Sequence, residues 1–85
     1  MNPDTLSGEQ LRQAAAIADG AVDVDAFDPW QLFLMVADVM ERWGPVYVVH
    51  VRMPQKVGGV TNWMPGRGSC PIEACMRSYL KSRVG

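Results

Sequence analysis

The 85-residue chain has one histidine and two cysteines, which is little material for catalysis or metal binding. One imidazole and two thiols at this spacing do not supply the four ligands of a tetrahedral zinc site within one chain, and neither metal nor other cofactor is expected. A catalytic cysteine needs a base, and nothing in the spacing brings His50 to Cys70 or Cys75. The chain is therefore not expected to be an enzyme. A Cys70–Cys75 disulfide is disfavoured, because five residues of helix separate the pair by about 7.5 Å and roughly 140° of rotation. Both thiols should stay reduced in a cytoplasm.

Positive charge is not in excess either. Eight basic residues against nine acidic give a formal charge of -1, so the broad positive field that carries non-specific nucleic-acid binding is missing. A nucleic-acid partner is disfavoured. The longest apolar run, "LFLMVA", is far too short to span a bilayer, and "MNPDTLSGEQ" has neither a basic nor an apolar leader region. No membrane partner is expected, and the location should be the cytoplasm of whatever cell makes the chain. No GxxxxGK[ST] order is present. Asp19, Asp23, Asp25 and Asp28 invite a calcium reading, but a loop starting at Asp23 would put Asp28 and Leu34 where glycine and glutamate are needed. They read instead as solvated linker and cap charges, or as an acidic recognition patch.

What is present is apolar and aromatic. With 48% hydrophobic residues, three Trp and six Met, the chain should fold as one domain over residues 1–85, with residues 1–6 flexible. Ser7 and Gln10 suggest a capping box for a helix that closes on Gly20, with Leu11, Ala14, Ala15 and Ala18 on one face. Asp28 and Pro29 give the start of a second helix, expected to end near Trp43 before Gly44-Pro45.

That helix carries two apolar stripes, with only Gln31, Asp38, Glu41 and Arg42 between them. A helix apolar nearly all round must be covered nearly all round. It is expected at the centre of the monomer or in a subunit interface. "VYVVHVRM" and "GVTNWM" read as strands joined through "PQKVGG", with Tyr47, Val49, Val51 and Met53 on the core face and Val46, Val48, His50 and Arg52 opposite. From Pro71 to Arg83, Ile72, Cys75, Met76, Tyr79 and Leu80 recur at helical spacing, with Glu73 and Arg77 paired outside. The class is α+β, in the order helix, helix, β-hairpin, helix, with an antiparallel sheet.

"LRQAAAIADG", "FDPWQLFLMVADVM" and "CPIEACMRSYLKSRVG" together resemble the NinX-like, or phage ABA sandwich domain, proteins. The matching pieces are Gly20, Phe27 to Trp30, Trp63 and Pro71 to Arg77. Cys70 stands where that family usually has a hydroxyl residue. The resemblance implies a small α-β-α sandwich and a phage or prophage origin, and it implies no activity.

Three sites are worth following. Cys70 begins the last helix, where the unpaired N–H groups and the helix dipole favour a thiolate, or where sulfur simply replaces oxygen as a cap. "PGRGSCP", with Arg67, Arg52, His50 and Cys70, is the candidate anion or nucleotide site, against the plainer reading of a structured turn. Trp30, Met35, Val39 and Trp43 are the candidate partner-binding residues, since interfaces favour Trp and Met. The expected function is protein–protein binding by a small phage accessory protein, with a host or phage protein as partner and inhibition of a host enzyme or antiviral defence system as outcome. An anion- or nucleotide-binding module is the alternative. A homodimer is expected, because so small a core gains from association.

Overall fold

The computed structural model describes residues 3–51 and 65–84, with side chains through Ser82. Pro3–Thr5 forms a 3-10 turn with Pro3 buried. The turn is tied down by the Asp4–Lys81 ion pair at 2.9 Å and by Arg77 donating to the Leu6 carbonyl at 2.9 Å. Residues 3–6 of the segment expected to be flexible are thus held against the last helix.

Helix α1 runs Gly8–Ala18, with Leu11 and Ala15 fully buried. Ser7 occupies the N-cap in extended geometry, but its side chain makes no cap hydrogen bond, so the expected capping box is not formed there. The end follows expectation. Gly20 adopts φ 75°, its N–H donates to Ile17 O at 3.0 Å, and the Ala21 N–H reaches Ala16 O at 3.0 Å, which satisfies the last carbonyls of the helix. The linker folds onto α1: Asp23 caps a 3-10 turn at Val24–Ala26, and Arg12 donates to Val24 O at 2.7 Å.

Helix α2 starts as expected. Asp28 accepts from the Trp30 N–H at 3.0 Å, and Pro29 fills the first position. It ends at Val36, however, after eight residues. The expectation of a helix to Trp43 is corrected: Ala37–Trp43 is strand β1. It pairs antiparallel with β2, Val46–Val51, from Ala37↔Val51 to Trp43↔Val46, with a bulge at Asp38. Gly44-Pro45 is therefore a hairpin loop and not a helix stop. Gly44 takes φ 61°, as the first position of a two-residue hairpin loop requires. The cause is tertiary: β2 is strongly β-branched, and pairing with it satisfies the backbone of 37–43 in a strand. The observed hairpin thus lies one element earlier than expected; the connection at 54–59 and the run at 60–64 fall outside the described residues.

Strand β3, Gly66–Gly68, pairs antiparallel with β2, giving the order β1-β2-β3. Helix α3, Pro71–Val84, packs on β2 and β3, and α1 and α2 pack on α3. The molecule is α+β, in the order helix, helix, hairpin, helix. Val49 and Val51 join Ala74, Cys75, Met76, Tyr79, Leu80, Leu11 and Leu32 in the core. Gly66 and Gly68 explain how α3 comes so close. A Cβ on Gly66 would collide with the Ala74 carbonyl and the Ser78 amide, so helix backbone rests directly on strand backbone. Ser78, fully buried, accepts from the Val51 N–H at 3.1 Å and ties α3 to the end of β2.

Candidate functional site

Register assigns each strand residue to a face. Tyr47, Val49, Met40 and Arg42 share the inner face with the two glycines, and Val39, Glu41, Trp43, Val46, Val48, His50 and Arg67 share the outer one. The inner face lies under α3. The outer face is largely open: Trp43 is 68% exposed, Val39 39% and Val46 37%. Glu41, Trp43, Val46, Val48, His50, Pro65 and Arg67 line a groove of ≈ 590 Å³ across it. The Trp43 indole N–H donates to Glu41 at 3.1 Å, which fixes the ring beside the valines. The groove has an apolar floor, a carboxylate on the β1 side and a guanidinium on the β3 side.

The four candidate partner-binding residues are all exposed, but they do not lie on one helix. Trp30 and Met35 project from α2, whereas Val39 and Trp43 project from the outer face of β1. The break at Ala37 divides one expected helix into two surfaces. On the α2 side Trp30 stacks on Phe33 at 5.6 Å with 19° between planes, and Leu34 lies exposed beside them. Glu41 was not among the sequence candidates; residues 39–43 do not alternate apolar with polar, and only the pairing of Glu41 with Val48 places it on the outer face.

The candidate anion residues are divided too. Arg67 and His50 line the same groove, Arg52 lies outside the described residues, and Cys70 is not among the groove residues. Cys70 is exposed, and its sulfur accepts from the Glu73 N–H at 3.4 Å, which is the cap role with sulfur in place of oxygen. The glycines of "PGRGSCP" do permit a close approach, but what approaches is α3. The junction is a short strand and a helix start.

Cys75 is 1% exposed, and burial pushes its thiol up to about 11, which leaves it protonated and unreactive at neutral pH. Asp19 accepts from the Tyr79 hydroxyl at 3.1 Å, Asp25 lies 3.7 Å from Arg12, and Asp23 and Asp28 are caps. Among the described residues no three His, Cys, Asp or Glu side chains gather as metal ligands, and no helix is long and apolar enough to cross a membrane. The chain matches no protein-family model, no curated protein and no solved structure with which it was compared.

Proposed function

We propose that the chain works by binding another protein, with the outer face of the sheet as the contact surface. One observation carries this reading: Val39, Trp43, Val46 and Val48 form an apolar patch on a sheet whose opposite face buries Val49 and Val51 against α3. A contiguous apolar patch with a polar rim is the composition of an interface centre. A Trp held by its own indole hydrogen bond is the kind of side chain that dominates binding energy. The resemblance to phage ABA sandwich proteins extends the proposal to a phage accessory protein whose target is a host enzyme or an antiviral defence component. The test is capture of a defined partner from host lysate, followed by mapping. Protection of amides in residues 39–48 on binding supports the proposal, and protection confined to α1 or α2 rejects it.

Arg67 and His50 in one groove support a second reading, an anion- or nucleotide-binding module. Native-state ligands raise the melting temperature by mass action. A shift with ATP or inorganic phosphate that disappears in Arg67→Ala supports this reading, and no shift at millimolar ligand removes it.

A further inference from the structure

The two outer strands of the sheet are fastened differently. β3 is three residues long and α3 holds it: Arg77 donates to Arg67 O at 2.6 Å, Lys81 donates to Pro65 O at 2.9 Å, and the helix backbone sits on Gly66. β1 is seven residues long and lies beyond that helix. Ala37 is half-buried and residues 38–43 are exposed, including Met40, at 52%, on the face that β2 turns toward α3. The side-chain hydrogen bonds of Glu41, Arg42 and Trp43 stay within residues 41–44. What holds β1 is chiefly its ladder with β2, with Arg42 over the Tyr47 ring at 5.5 Å as a cross-strand contact.

The same segment leaves α2 without a turn. The Ala37 N–H still donates to Phe33 O, and Ala37 keeps a helical φ of -67°; its ψ of 126° is what sends the chain into the strand. Helix and strand part at that one dihedral. In a helix Val36, Val39, Met40 and Trp43 would fall at i, i+3, i+4 and i+7, a single stripe, and no apolar–polar alternation opposes it. Gly44 already stands at φ 61°, the left-handed conformation of a residue just past a helix end as well as of a hairpin loop. Little burial is at stake, because Val39, Met40 and Trp43 are exposed in the strand already.

We infer that residues 37–43 are a detachable strand: β1 leaves β2 as a unit while the rest of the molecule stays folded, and off the sheet the segment continues α2 as helix to Trp43. The exchange is nearly balanced in backbone hydrogen bonds. β1 gives up its ladder and gains helical i→i−4 bonds, and the groups that β2 had turned toward β1 meet water in place of protein. Elements with few buried apolar contacts open at the low end of a protein's range of local stabilities. The step goes beyond partner binding but bears on it. Detachment takes Glu41 and Trp43 out of the groove, so a partner seated there would select the strand form, and any population of helix would weaken its apparent affinity.

Amide hydrogen exchange of the full, free chain, read by NMR, tests this without a partner. The Arg67 carbonyl is turned to Arg77 and away from β2, so its strand partner Val48 points its amide toward β1, and Val49 points its amide toward β3. The two valines are neighbours on one strand, and detachment exposes the first alone. Val48 should therefore be protected at least about tenfold less than Val49, and to the same degree as Glu41. Val39→Ala favours helix over strand and should lower protection of Val48 and Glu41 roughly threefold to tenfold with little change at Val49; Met40→Val should raise it by a similar factor. Saturation-transfer NMR on Val39→Ala should reveal a minor state with helical Cα shifts across 37–43. Equal protection of Val48 and Val49 overturns detachment, as does a Val48 amide indifferent to both variants. Random-coil shifts, or no minor state, overturn the helical form. Both substituted positions are exposed, and the wild-type comparison of Val48 with Val49 decides alone if either variant fails to fold. Lysate capture is a separate readout, so its failure leaves this test intact.

Discussion

One sheet presents two faces that do opposite things. On the inner face Gly66 and Gly68 remove side chains so that α3 can lie on the backbone, and Val49, Val51 and Ser78 complete a close-packed contact. On the outer face the same strands carry Trp43, Val39, Val46 and Val48, none of which belongs to the buried core. Apolar character alone therefore does not distinguish core from surface here; the spacing of small residues does. The inner face is built for a helix this chain supplies, and the outer face keeps large side chains that none of the described helices covers.

The contrast can be broken most severely at Gly66. Gly66→Ala should leave the chain unfolded or cost at least about 3 kcal/mol, since the added methyl meets backbone atoms that cannot step aside; circular dichroism and chemical denaturation read this directly. Next comes Ser78→Ala, which strips the buried Val51 N–H of its acceptor and should cost about 1–3 kcal/mol. A smaller effect attaches to Cys75. Its thiol is held near 11 against an ordinary 9.0, so the unfolded chain ionises first. Stability should be level below pH 9 and should fall as pH rises toward 11, and Cys75→Ala should flatten that fall. Alkylation of the native protein should accordingly label exposed Cys70 and spare Cys75.

Much of the fold was legible because local signals and tertiary packing agree. Gly20 ends α1, Asp28-Pro29 opens α2, and the apolar positions of α3 are those that reach the core. Strand β1 was not legible for a specific reason. In "VADVMERW" the spacing of Val36, Val39 and Met40 suits a helix, and apolar and polar residues do not alternate, so nothing local marks a strand. Gly44-Pro45 serves equally as helix stop and hairpin loop, so only pairing with β2, from Trp43↔Val46 out to Ala37↔Val51, decides. The glycines at 66 and 68 show a similar limit. Sequence says that something approaches the backbone closely there, and the fold says that it is α3 and not an anion. The four candidate partner-binding residues all lie exposed, but their grouping changes, because a strand sends neighbours to opposite faces where a helix sends every third or fourth to one.

The smallest expected effect on stability falls on the outer face. Trp43→Ser with Val46→Ser should change unfolding free energy by no more than about 1 kcal/mol, since neither side chain belongs to the buried core. That makes the pair the cleanest instrument for function. The decisive measurement is the affinity of the captured partner for wild type and for this double variant, at matched melting temperature. The account predicts at least a hundredfold loss, on the order of the 2–4 kcal/mol that a central interface Trp commands. Unchanged affinity in the double variant would contradict it.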